Sequence, residues 1–160
     1  MELIIGMLLR VLSYVVPFAL RWYYTAQRLA KFMRVTVSSE NEGLVVNCAD
    51  IPEAHVWLEI TNHSSFPVEI LALSIDLLWG GKVGRFLSIA RAEIKPHSSD
   101  RLFVETTLTT EQARKICAMS SQEKARLTIH VELQCRLRKF ALIGREINTK
   151  NVSLRGCENV

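Results

Sequence analysis

The chain has 160 residues, 49% of them hydrophobic and 22% charged, with a formal charge of +4. That length fits one domain plus an appendage. The positive excess sits mostly in Arg10, Arg21, Arg28, Lys31 and Arg34, a local collar that favours a membrane surface; nucleic-acid binding would want a basic stripe on the folded domain itself.

The first stretch, Leu3 to Arg34, reads as one apolar helix that changes character halfway. Leu3–Tyr24 would be about 33 Å long as a helix, enough to cross a hydrocarbon core of roughly 30 Å. Trp22, Tyr23 and Tyr24 would form an interfacial aromatic belt, with Arg28, Lys31 and Arg34 beyond it. Glu2 precedes the apolar run and no basic residue does, so it does not resemble a cleaved leader. On a helical wheel Arg10, Arg21 and Arg28 fall within about 20° of one another. Val15, Ala19, Trp22, Ala26 and Met33 lie opposite. This stripe suits a spanning helix, a helix lying in the interface, or one packed on a partner. Positive residues at the C-terminal flank place the rest of the chain on the cytoplasmic side, where its cysteines would be thiols.

From Met33 the period shifts toward two. Short strands are expected over Arg34–Ser38, Leu44–Cys48 and His55–Thr61. Asn62-His63-Ser64-Ser65 makes a turn. Pro67–Trp79 is a long strand broken in phase around Ala72, as a β-bulge would break it. Gly80-Gly81 closes it, and Val83–Ile94 and Arg101–Leu108 follow. Thr109 and Gln112 have capping-box spacing and start a helix running to Met119. Ala125–Arg138 alternates cleanly, with Leu127, Ile129, Val131, Leu133, Cys135 and Leu137 facing inward. A last long strand covers Phe140–Leu154. Roughly seven or eight strands with regular turns indicate a mainly β chain, an antiparallel β-sandwich of immunoglobulin or fibronectin-III type. Domains are expected at 1–34 and 35–155, separable by a cut after Arg34.

No constellation of residues points to a reaction. The four cysteines, Cys48, Cys117, Cys135 and Cys157, form no CxxC or zinc-like spacing. The four histidines, His55, His63, His97 and His130, show no metal-binding repeat. His55 and His130 are read as surface residues on outer strand faces; the alternative is that they meet across a sheet, with Cys48, to bind a metal. Gly80-Gly81-Lys82-Val83-Gly84 reads as a hairpin turn, not a phosphate loop. Arg126, Arg136, Arg138 and Lys139 form an outer basic stripe, and Trp57 is the best outward aromatic for binding a partner. No cofactor, metal, catalytic residue, nucleic acid or small-molecule substrate is expected. The candidate contact residues are Arg10, Arg21, Trp22, Tyr23, Tyr24, Arg28, Lys31 and Trp57.

This order of features resembles that of one family. Ile60-Thr61-Asn62-His63-Ser64-Ser65-Phe66-Pro67-Val68 resembles the strand, Asn-Pro-Asn and Phe-Pro run of late embryogenesis abundant type 2 proteins, also called water-stress and hypersensitive-response domains. His63 stands where that family has proline. Gly80-Gly81, Val83–Ile94, Lys95-Pro96-His97-Ser98-Ser99 and Arg101–Leu108 occupy the later places, and the resemblance covers about Leu44–Leu154. It implies an immunoglobulin-like sandwich, often behind an N-terminal hydrophobic helix, with no known catalytic residues to carry over. The combined expectation is a membrane-anchored, non-catalytic binding or scaffolding module with an unidentified protein partner. The alternatives are a subunit of a membrane complex and a lipid-interacting or stress-protective module.

Overall fold

The strands divide between two sheets, each built around one long central strand. In chain order they are β1 (Met33–Val37), β2 (Leu44–Asn47), β3 (Glu53–Asn62), β4 (Val68–Leu78), β5 (Lys82–Ser88), β6 (Ala92–Ile94), β7 (Ser98–Thr107), β8 (Arg126–Gln134), β9 (Lys139–Asn148) and β10 (Val152–Arg155). Helix α1 covers residues 15–23, α2 covers Ala26–Lys31, α3 covers Thr110–Met119, and a 3-10 turn covers Cys157–Asn159. The computed structural model describes residues 15–38, 43–88, 91–119, 124–149 and 152–159. Arg10, the Leu3–Tyr14 part of the apolar segment and residues 39–42 lie outside them.

In the first sheet β7 pairs along the whole of β3, from Glu53↔Thr107 to Asn62↔Ser98. The other edge of β3 is shared end to end: β1 pairs with Leu58–Asn62 and β2 with Glu53–Val56. The second sheet repeats the plan. β8 runs along one edge of β4, while β6 and β5 divide the other. β9 completes that sheet beside β8. The protein is thus mainly β, with two antiparallel-rich sheets and few helices.

Alternation explains the faces. Along β3, Ala54, Val56, Leu58 and Ile60 are fully buried while His55, Trp57 and Glu59 are half-exposed. Along β8, Leu127, Ile129, Val131 and Leu133 are buried, and Cys135 and Leu137 continue the pattern past the strand end. These residues join Leu44, Val46, Ile70, Ile75, Leu77 and Phe86 in one hydrophobic core. The phase break in β4 is a bulge at Leu71, between the register positions Ile70↔Leu133 and Ala72↔Glu132. The expected capping box is present: Gln112 N–H donates to Thr109 Oγ1 at 3.2 Å, and Thr109 N–H donates to Gln112 Oε1 at 2.8 Å.

Four expectations are corrected. The single helix through Arg34 breaks at Tyr24, where Thr25 turns extended and its hydroxyl accepts from Arg28 N–H to start α2. Met33 is therefore strand, not helix face. Val83–Ile94 is two strands, because β4 has room for both along one edge. Phe140–Leu154 is also two strands: β9 stays in the second sheet, whereas β10 crosses to the first and pairs parallel to β2, from Val152↔Leu44 to Arg155↔Asn47. Finally, the cut after Arg34 falls inside β1. It would remove Leu29 and Met33, which are 1% and 2% exposed in the same core as the strands.

Gly80 and Gly81 turn the β4–β5 hairpin with φ of 60° and 114°, and Trp79 N–H donates to Gly81 O at 2.7 Å. Lys82 is part of this hairpin and pairs with Asp76 at 3.0 Å, beside Arg85 at 2.8 Å. Burial works against the Asp76 carboxylate, but hydrogen bonds and charge from Lys82 and Arg85 outweigh it and hold its pKa below the ordinary 3.8. Such a group stabilises the fold fully above its unfolded pKa, and that contribution is lost as pH falls through the folded value. Asp76→Asn should therefore lose stability at neutral pH and flatten the acid limb below about pH 4, read from urea midpoints across that range.

Asn62 closes the end of β3. It is fully buried. Its amide nitrogen donates to Phe66 O at 2.8 Å, Ile94 O at 3.2 Å and Lys95 O at 3.2 Å. Its oxygen accepts from Ser64 N–H at 2.9 Å and Ser64 Oγ at 2.7 Å. Asn62→Ala strands those carbonyls and should cost about 3 kcal/mol. A fall of roughly 10 °C in Tm is expected. Thr61→Ala, which removes only an exposed hydroxyl pair with Ser99, should stay within about 0.5 kcal/mol.

Candidate interaction surface

The exposed apolar surface concentrates where α1 leaves the sheets. Residues 15–19 and 21–23 are all exposed, with Phe18 at 75% and Trp22 at 81%. Val15, Val16 and Tyr23 are also largely exposed, and Phe32 lies nearby in sequence on the exit from α2. A helix exposed around this much of its circumference has no core of its own to bury. No helix among the described residues is long and apolar enough to cross a membrane.

Two links hold α1 against the turn between β8 and β9. Arg21 Nε donates to Leu137 O at 3.0 Å, and Arg138 donates through Nη2 to Arg21 O. The α1–α2 corner adds a run of aromatic contacts. The Arg28 guanidinium lies 4.6 Å from the Tyr23 ring centroid and donates to Tyr23 O at 3.0 Å. Tyr23 meets Tyr24 edge-on at 5.1 Å, and Tyr24 meets Phe66 edge-on at 5.1 Å. Arg136 covers Phe66 at 4.9 Å. Cation–π contacts at such partly exposed sites contribute about 0.5–1 kcal/mol each. Behind them Arg145 donates to Ala30 O at 3.2 Å and Met33 O at 3.3 Å, holding the end of α2 against β9.

The expected contact residues therefore separate. Trp22 and Tyr23 are outward, and Lys31 is exposed. Tyr24 is not part of an outer belt; it is half-buried against Phe66 and Phe32. Arg21 and Arg28 do not continue one helical stripe, because the break at Thr25 lies between them; both bond to backbone carbonyls. Of the outer basic stripe, Arg136 and Arg138 serve the same corner. Sequence reasoning missed that Arg136 and Arg138 serve the α1–α2 corner, and that the buried Phe66 ring lies between Tyr24 and Arg136 there. The Phe66-Pro67 step was visible, but its aromatic partner lies far away in sequence.

Trp57 stands apart on the outer face of the first sheet. It is half-buried and packs on Phe103 at 4.8 Å, its cross-strand partner on β7. His55 packs on the same ring at 5.4 Å. His130 is on the other sheet, where its Nδ1 accepts from Gly144 N–H at 3.2 Å. Gly144 sits at the β8–β9 bulge with φ of 63°. His55 and His130 consequently do not meet, and Cys48 groups with neither. The structure instead gathers Cys48 with Cys117 and Cys157, the last two as a disulfide, which corrects the expectation that all four cysteines are thiols. A shallow, open cavity of about 260 Å³ lies elsewhere, beside the Leu71 bulge and lined by Glu132, Lys139 and Phe140.

No family model matches the sequence, and a search among characterised proteins by sequence finds no match. Solved structures are similar in fold. A Northeast Structural Genomics Consortium target matches with a TM-score of 0.51 at 9% identity, over 74% of this chain and 85% of its own. A protein from Archaeoglobus fulgidus has a TM-score of 0.41 at 16% identity, over 74% of this chain and 95% of its own. A protein provisionally described as late embryogenesis abundant has a TM-score of 0.35 at 16% identity, over 92% of this chain and 88% of its own. Only the first of these exceeds a TM-score of 0.5, and at 9% identity that likeness concerns fold alone.

Arg21→Leu removes the Nε link to Leu137 O while leaving the core intact. Amide exchange across residues 15–23 should accelerate, with global stability changed by no more than about 1 kcal/mol.

Proposed function

We propose that the protein is a non-catalytic binding or scaffolding module held at a membrane surface, with an immunoglobulin- or fibronectin-III-like sandwich as its body. The observation that carries this reading is the exposed apolar helix at residues 15–23, clamped to the β8–β9 turn through Arg21 and Arg138. The clamp gives the helix a defined direction, so inserted side chains would orient the sheets over the bilayer. Phe18 and Trp22 supply the buried apolar area, and Lys31, Arg28 and Arg34 supply attraction to acidic head groups. Basic residues after the apolar segment favour the cytoplasmic face. In that compartment Cys117 and Cys157 would be thiols. The late embryogenesis abundant type 2 resemblance is compatible with this architecture and adds a lipid-interacting or stress-protective role as a variant of it.

The second reading is a subunit of a membrane complex, favoured by the same clamp, because a fixed helix direction also suits packing on partner helices. Flotation of the full chain with acidic-lipid vesicles tests the first reading. Replacing Phe18 and Trp22 together with Ser should reduce vesicle binding by about tenfold per residue, the equivalent of roughly 1.5 kcal/mol each. Unchanged flotation of that variant would sink the proposal. Arg10→Leu separates the two readings: membrane association should hold or strengthen for an anchor, whereas a packed subunit should lose its assembly on native gels.

A further inference from the structure

Three cysteines remote in sequence converge at one end of the sheets. Cys48 directly follows β2, Cys117 lies on α3, and Cys157 begins the 3-10 turn. Their sulfur atoms all lie within 4.8 Å of one another. The convergence is built by the β2–β10 pairing. Cys48 N–H donates to Arg155 O at 2.8 Å, extending the parallel ladder by one bond. Gly156 then turns the chain with φ of 75°, so close to Ala49 that a Cβ there would lie 2.8 Å from the Ala49 nitrogen. Cys157 is thereby delivered beside Cys117, to which it is joined with a Cα–Cα distance of 5.6 Å.

Cys48 is the third sulfur, a free thiol only 1% exposed. Its hydrogen-bond contact is a long one, 3.9 Å to Ala113 O on α3. Its sulfur stands beside the disulfide, close enough for all three sulfurs to reach one ion. Cys117 and Cys157 are half-exposed and open the cluster to solvent. Among the described residues no carboxylate or imidazole joins this group. The donor set is thus all-sulfur and three-membered. Soft thiolates bind Cu(I), zinc and iron–sulfur clusters alike, but three sulfurs complete a trigonal Cu(I) site, whereas zinc would need a fourth ligand from outside the set.

We propose that reduction of the Cys117–Cys157 disulfide opens a three-thiolate site, completed by Cys48, for one Cu(I) ion. A metal–thiolate bond of about 2.3 Å places the sulfurs of a trigonal site about 4 Å apart, within the existing spread of the cluster. A dithiol reductant supplies two electrons and two protons. The S–S bond breaks, two thiols form, and the reductant leaves as its own disulfide. Cu(I) then forms three Cu–S bonds without changing oxidation state, and the three thiol protons pass to solvent. The site does not depend on where the protein resides or on the membrane reading.

The test uses the full chain, reduced with dithiothreitol and desalted without oxygen. It is titrated with the Cu(I)–acetonitrile complex against a competing Cu(I) chelator. One copper per chain is expected, with thiolate-to-metal charge transfer in the near ultraviolet and three Cu–S bonds by X-ray absorption. The unreduced chain should bind none. Cys48→Ser should weaken binding at least about 100-fold, the upper end of what even outer-shell changes cost, while Cys135→Ser, outside the cluster, should bind as before. Two-sulfur coordination, undiminished binding by Cys48→Ser, copper uptake without reduction, or displacement by equimolar Zn(II) would each overturn the assignment. Should Cys48→Ser fail to fold, the sulfur count on the unaltered chain decides.

Discussion

The architecture hangs on the buried amide of Asn62. A buried polar group is costly unless it is satisfied, and this one is satisfied by chain segments that belong to different sheets. It ends β3 in the first sheet, fixes the turn that opens β4, and holds the carbonyls at the end of β6 in the second. Because Phe66 O is one of its partners, the Phe66 ring is also set in place. That ring is the surface on which Tyr24 and Arg136 pack. The placement of the N-terminal helices is therefore linked, through one aromatic side chain, to a hydrogen-bond centre in the core. An asparagine that looks like a loop residue in sequence is what joins the two sheets and their appendage.

Local patterns were legible wherever the chemistry was local. The alternation in β8 needs only neighbouring residues, and the Thr109–Gln112 box closes over one helical turn. The phase slip near Ala72 marked the Leu71 bulge because a two-residue period exposes any insertion. What stayed hidden depends on partners distant in the chain. Nothing near Val152 says that it pairs with β2, and nothing in the spacing of Cys48, Cys117 and Cys157 says that they meet. The helix break at Tyr24 is an intermediate case. Thr25 is a good cap residue, but a strong apolar period running through it masks the signal. Arg21 and Arg28 then look like one stripe although each serves a different carbonyl.

Two chemistries bear on the compartment. A disulfide between Cys117 and Cys157 suits an oxidising environment, whereas the proposed cytoplasmic placement would keep them as thiols. A three-cysteine cluster accommodates both. Oxidised, it staples α3 to the segment after β10; reduced, it becomes a soft donor set at the same place. Only the disulfide, or a metal bound after its reduction, ties the segment after β10 to the helix that follows β7, so the cluster's condition bears on how firmly the edge of the first sheet is closed.

That edge has a kinetic consequence. β2 pairs with β3 nearby in sequence, yet its other side is covered only when β10 arrives from the far end of the folded body. Pairings of such long sequence separation are slow to form, because loop closure must precede the contacts that compensate for it. Until then the Leu44–Asn47 backbone is an unpaired, apolar edge, the kind of segment that recruits foreign strands. Refolding yield, more than final stability, should thus be governed by how quickly β10 reaches it, and aggregation during refolding should rise with protein concentration.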